Sequence, residues 1–151
     1  MNRSMALRSM ALLVAAWGLS AAAQDTAVER WQAAPEVVLE ASDLTLEEFE
    51  WIARPIVVFA DSSADPAFRQ QMEYLAERPE ALVKRYVVVI VDTDPSAQSP
   101  IRKTLRPRGF QLTLIGKEGG VVLRKPFPWH IREITRSIDK QPIRRQEIRG
   151  E

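Results

Sequence analysis

Two runs in this chain, Ile56-Val57-Val58-Phe59-Ala60 and Tyr86-Val87-Val88-Val89-Ile90-Val91, carry no charged residue and show almost no polar alternation. A strand with one wet face alternates apolar and polar side chains. A continuously apolar strand is covered on both faces, as in a parallel sheet flanked by helices. The connection between the runs fits that layout. Asp61-Ser62-Ser63-Ala64-Asp65-Pro66 offers an N-cap and a proline for the first helical position. Phe68, Met72 and Leu75 then recur at helical spacing, and Pro79 opens a second short helical piece through Leu82 and Val83. Two buried strands joined by a helical crossover form a βαβ unit, which is almost always right-handed.

The remaining segments extend this unit. Residues 24–41 read as a flexible lead-in that ends in a short extended piece at Val37-Val38-Leu39. Ser42-Asp43 is expected to cap a helix carrying Leu44, Leu46, Phe49 and Trp51. After the second strand, Asp92-Thr93-Asp94-Pro95 forms a turn, and Ser99-Pro100 starts a short helix through Ile101 and Leu105. Gln111-Leu112-Thr113-Leu114-Ile115 and Val121-Val122-Leu123-Arg124 are two strands around a Lys117-Glu118-Gly119-Gly120 turn, an antiparallel hairpin. Ile131, Ile134 and Ile138 mark one face of a final helix, and the tail from residue 140 has four basic and two acidic residues. The expected fold class is a three-layer α/β/α sandwich with a mixed central sheet in the order βαβαββα, a single domain over residues 42–151.

Residues 1–23, MNRSMALRSMALLVAAWGLSAAA, combine a basic start (Arg3, Arg8), an apolar run over 10–19 and a small-residue exit. This is the layout of a secretory signal peptide cleaved after Ala23. The apolar run is shorter than the ~20 residues of a bilayer-spanning helix. The expected location is therefore periplasmic or secreted, with no stable membrane span after cleavage. Export gives weight to a compositional fact, because the chain contains no cysteine. Thiol catalysis, disulfides and thiolate metal sites are excluded by chemistry, and the single His130 rules out a multi-histidine site. With 21 Lys+Arg against 20 Asp+Glu, no overall field points to nucleic acid.

Val58-Phe59-Ala60 before the main helix and Arg108-Gly109-Phe110-Gln111-Leu112 opening the hairpin resemble the thioredoxin fold. Glu-Phe-Glu-Trp-x-x-Arg-Pro at 48–55, Gly116-Lys117-Glu118-Gly119-Gly120 and Pro142-Ile143-Arg144-Arg145-Gln146-Glu147 resemble, more narrowly, the bacterial "domain of unknown function 4174" family, which implies no established activity. Two departures from the thioredoxin pattern matter. Ser62-Ser63-Ala64-Asp65-Pro66 stands where a thioredoxin carries its Cys-x-x-Cys pair, and Gln111 stands where its cis-proline faces that pair. Thiol–disulfide exchange needs an attacking thiolate, and none exists here.

The residues that could still bind or react fall into three groups. Asp61 and Asp65 follow the first buried strand, and Asp92 and Asp94 follow the second, so neighbouring strands would gather them at the carboxyl edge of the sheet, where open α/β sheets bind ligands. Four oxygen-bearing side chains could hold a hard cation. As capping and turn residues they hold none, and this is the preferred expectation. Ser62 and Ser63, at a helix start, would need a base to act as nucleophiles, and His130 is expected to be a cap or surface residue beside Trp129. The basic group Arg102, Lys103, Arg106, Arg108 and the tail residues Arg144, Arg145 and Arg149 could meet an acidic partner. Alternatively they are solvated and pair with the segment 24–53, which holds eight acids and one arginine. The tail is expected either to dock on the domain or to serve in recognition.

The functional expectation is an exported, non-catalytic module that binds another protein or serves structurally in the cell envelope, with Asp61, Ser62, Ser63, Asp65, Asp92, Asp94 and Gln111 as candidate binding residues. No cofactor, metal or nucleic acid is expected, and the oligomeric state is left open. The alternative expectation is a ligand- or divalent-metal-dependent activity at the carboxyl-edge carboxylates.

Overall fold

The computed structural model describes residues 25–150. The signal-peptide layout at 1–23 lies outside them. The two apolar runs form β2 (Arg54–Phe59) and β3 (Val87–Asp92), adjacent and parallel with Ile56 beside Val89. Every residue of both strands is buried. Crossover helices α2 (Pro66–Ala76) and α3 (Pro79–Val83) connect them, and Asp65 caps α2 ahead of a first-position proline. β4 (Gln111–Ile115) runs antiparallel to β2, and β5 (Val121–Lys125) antiparallel to β4. Gly119, at φ +84°, makes the hairpin turn, a backbone state that side chains disfavour.

Alternation along β2 assigns its side chains to two cores. Val57 and Phe59 join Phe49, Ile90, Ile101 and Leu105 on one face, where α4 (Pro100–Leu105) packs. Ile56 and Val58 join Leu75, Leu82, Leu112, Ile131, Ile134 and Ile138 on the other, under α2, α3 and α5 (Ile131–Asp139). The result is the expected three-layer sandwich on a mixed sheet.

The N-terminal stretch differs from expectation. Instead of a flexible lead-in, residues 27–33 form helix α1 (Ala27–Ala33), started by a Thr26/Glu29 capping box. Trp31 fastens it to the core, since its indole N–H donates to the Val87 carbonyl at 3.1 Å. The extended piece then becomes a fifth strand, β1 (Val38–Glu40), parallel to β3, which gives the sheet order β1-β3-β2-β4-β5. The helix expected after Ser42-Asp43 shrinks to one 3₁₀ turn, Glu47–Phe49. Phe49 is buried, but Trp51 has 62% of its surface exposed and a left-handed backbone (φ +62°), so the chain turns sharply there rather than continuing helically. The tail is a helix, α6 (Pro142–Gly150). Among the described residues no helix is long and apolar enough to cross a membrane.

Candidate functional site

At the carboxyl edge, β2 and β3 end side by side and deliver the predicted residues to one end of the sheet. Asp61 is exposed in the loop after β2. Ser62 Oγ accepts the Ala64 N–H at 3.1 Å, Asp65 Oδ1 accepts the Ala67 N–H at 2.8 Å, and Ser63 faces solvent. Asp94 does the same for the next turn, accepting Ser96 N–H at 2.9 Å and Ser96 Oγ–H at 2.5 Å. These bonds, the side-chain one foremost, hold the Asp94 carboxyl below the ordinary carboxylate value.

Asp92 behaves differently, because it is buried. Its carboxylate accepts Arg102 Nη2 at 2.7 Å, Arg102 Nε at 3.0 Å and the Ser99 hydroxyl at 2.6 Å. Arg102 also donates to the Ala60 and Asp92 carbonyls, each at 3.1 Å, and so ties the ends of β2 and β3 together. Its guanidinium lies 5.4 Å from the centre of the Phe59 ring. Arg102 is therefore an internal strut and not part of a solvated basic group, while Lys103, Arg106 and Arg108 are exposed as expected. Half-buried Gln111 donates to Thr113 Oγ1 at 2.8 Å, opposite Phe59 in the ladder.

The edge thus gathers the carboxylates by strand but not around a common point. Among the described residues no group of three or more His, Asp or Glu could hold a metal ion. The serines likewise lack a base. His130 caps α5, accepting the Arg132 N–H at 3.3 Å, and lies 3.2 Å from Glu77 and beside Tyr74. Those two residues belong to the far end of α2, about 15 Å from Ser62 at 1.5 Å per helical residue. No nucleophile–base contact can form across that distance.

The opposite end of the sheet holds a network that the sequence reading missed. Arg54, at the start of β2, is completely buried. It donates to the Arg85 carbonyl at 2.9 Å, to Glu147 at 3.1 Å and to Gln141 at 3.4 Å. Glu147 accepts two further cations, Lys117 at 3.0 Å and Arg144 at 3.2 Å. Burial acts to raise the Glu147 carboxyl, but the three donors outweigh it and hold it below the ordinary value. Alongside, Arg85 grips Asp139 through two bonds of 2.7 and 2.8 Å. The tail is docked, as one of the two expectations had it, through Arg144 and Glu147, while Arg145 and Arg149 face solvent. Among the described residues no ion pair joins these basic residues to segment 24–53; the buried or half-buried ones meet Asp92, Asp139 and Glu147. A clue was present in the sequence: an arginine opening an apolar strand needs a buried acid, and Glu147 stands among the arginines of the tail.

Two aromatic residues crown this end. Tyr86 is 40% exposed with φ +54°, and Lys117 Nζ sits 4.3 Å from its ring centre. Trp51 donates its backbone N–H to the Lys117 carbonyl at 2.6 Å.

Known proteins resemble the chain in two ways. A family model described as Domain of unknown function (DUF4174) matches residues 45–147. Among solved structures, reduced 2-Cys peroxiredoxin of Plasmodium vivax superposes with a TM-score of 0.54 at 16% identity, over 70% of this chain and 85% of that one. An N-terminally modified Plasmodium yoelii Prx1a that forms an artifactual octamer gives 0.49 at 16% identity, over 72% and 83%. The likeness to the first is one of fold, and the fold is thioredoxin-like. No curated protein sequence matches significantly.

Proposed function

We propose a function from one premise: this chain belongs to the family of domains of unknown function matched over residues 45–147, and it carries that family on a thioredoxin-like fold. The chain works as an exported, non-catalytic module that binds a protein partner in the cell envelope. The observation that carries this reading is the state of the carboxyl edge. Most side chains that would have to be available for chemistry are instead committed to structure, Ser62 within its turn, Asp65 and Asp94 as caps and Asp92 as the partner of Arg102 and Ser99, while the exposed Asp61 and Ser63 have no base beside them. No thiol stands at the helix start, so the exchange chemistry of a dithiol site is unavailable.

Export rests on the three-part layout of residues 1–23. Mass spectrometry of the secreted or periplasmic fraction tests it: a mature chain beginning at Gln24 is expected, and a full-length chain confined to the cytoplasm would refute it. The binding role is tested by chemical cross-linking in the native envelope, comparing the wild type with a variant in which Asp61, Ser62, Ser63 and Asp94 are all alanine. The same specific partner adducts are expected from both. Absence of adducts from the wild type, or a turnover activity lost in the variant, would contradict a non-catalytic binding module.

A further inference from the structure

The sheet has two outer strands, and they are finished differently. β5 is protected: its ladder with β4 shifts register between Leu114 and Ile115, and Arg124 and Lys125 stand on it, both devices that discourage further strand pairing. β1 shows no register shift and carries no cation; its one charged residue is Glu40. Ala41 N–H donates inward to the Val91 carbonyl, and backbone groups alternate along a strand. The N–H and C=O of Val38 and of Glu40 therefore point outward, and among the described residues no hydrogen-bond partner meets them. A groove lies beside the strand, lined by Val37 to Glu40 together with the acids Asp25 and Asp43 and one cation, Arg30.

The side chains beside this edge are equally distinctive. Val38 is 44% exposed and looks over an apolar hollow formed with Met72, Leu75, Pro79, Leu82 and Val89, where α2 and α3 fail to cover the sheet completely. Glu40, two residues on, shares Val38's face of the strand and is exposed; Glu36, in the turn just before the strand, is exposed at the rim of the same hollow. Neither forms an ion pair among the described residues, and the same holds for Asp25, Asp43, Glu47 and Glu50 nearby in sequence.

We infer that β1 is a docking edge for an extended cationic peptide segment of the partner, which joins the sheet as a sixth strand. Cross-strand neighbours match by chemistry, so the segment has an apolar residue opposite Val38, entering the hollow, and Lys or Arg two positions to either side, one opposite Glu40 and the other reaching Glu36 at the turn before the strand. Main-chain hydrogen bonds to Val38 and Glu40 supply affinity, and the acid–apolar–acid pattern supplies selectivity. This names the partner chemistry of the binding module proposed above and rests on that reading.

The test uses the mature chain and a fluorescein-labelled peptide, Ser-Lys-Thr-Ile-Thr-Lys-Ser, with fluorescence polarisation as readout. Val38→Pro removes one outward donor without touching the inward ladder to β3, and a melting curve checks that the fold is kept. Glu36→Lys with Glu40→Lys is a second variant that leaves the backbone unchanged. Binding is expected for the wild type, weakened about tenfold or more by either variant and by a peptide carrying Glu in place of Lys. No binding by the wild type at millimolar peptide, or equal binding by wild type and both folded variants, would overturn the inference. Envelope cross-linking separates the two levels: adducts shared equally by wild type and Val38→Pro would sink the β1 edge while leaving a binding module in place, and no adducts from either would sink the module itself.

Discussion

Each end of the central sheet is built around a buried arginine, and the two arginines are held in different ways. At the carboxyl edge Arg102 meets Asp92, ten residues earlier, and the pair also joins the ends of β2 and β3. At the amino edge Arg54 meets Glu147, ninety-three residues later, through the last helix of the chain. The first pair is a clasp inside one supersecondary unit. The second is a long-range clasp that fastens the C-terminal helix, which contributes no residue to either apolar core cluster. Charge therefore does for α6 what apolar burial does for α5, whose Ile131, Ile134 and Ile138 are fully covered. Ends held this way are structural, and the proposed contact with a partner falls instead on the outer strand β1, whose outward backbone groups and Glu40 have no partner among the described residues.

The contrast can be broken by substitution. Asp92→Ala leaves Arg102 buried without a counter-charge, and a loss of about 3–5 kcal/mol is expected in denaturant unfolding of the whole domain. Glu147→Gln keeps an acceptor for Arg54 and Lys117 but removes the charge, with an expected cost of about 2–3 kcal/mol. Hydrogen exchange should locate that second loss mainly in α6, while the first is spread over the sheet. Equal protection of α6 in wild type and Glu147→Gln would show that the tail is held by something other than this carboxylate.

Acid sharpens the same distinction. Because the folded Glu147 carboxyl sits below the ordinary value of about 4.3, its contribution is complete above that pH and is lost as pH falls through the folded value. Protection of α6 should decline below about pH 4, and Glu147→Gln should be flat over that window. Smaller effects belong to the caps. Asp65→Ala should cost about 1 kcal/mol, as a lost N-cap of α2. Ser63→Ala, at an exposed position without a cap bond, should fall within about 0.5 kcal/mol of wild type, and a larger loss would mean that Ser63 has a partner in the folded protein.

What could be read from the sequence follows the same division between near and far. The caps at Asp65, Asp94 and Ser99 are bonds to residues two or three positions away, so spacing alone revealed them. The apolar runs of β2 and β3 announced burial on both faces before any partner was known. Arg54 with Glu147 could not be read by spacing, since the chain between them crosses the whole sheet. The N-terminal stretch was missed for a related reason. α1 has only seven residues, too few to show a period, and its place is set by Trp31 reaching Val87 fifty-six positions away. Local capping signals place Trp51 on a helix, whereas its backbone N–H is held by the Lys117 carbonyl of the hairpin, a contact that no local signal announces. At the candidate site, strand order placed Asp61, Asp65, Asp92 and Asp94 at one edge correctly, but Arg102 had been counted among surface charges. Only the fold shows that it consumes Asp92.

The central claim is that the domain acts by binding at its open edge while the carboxyl edge is structural. A photo-reactive amino acid placed at Val38 in one version of the protein and at Ser63 in another tests it most directly, with irradiation in the native envelope and mass spectrometry of the adducts. Both positions are exposed, so neither substitution disturbs a core. A discrete adduct is expected from position 38, mapped to an extended segment carrying Lys or Arg around an apolar residue, and none from position 63. A discrete adduct from position 63 with none from position 38 would contradict it.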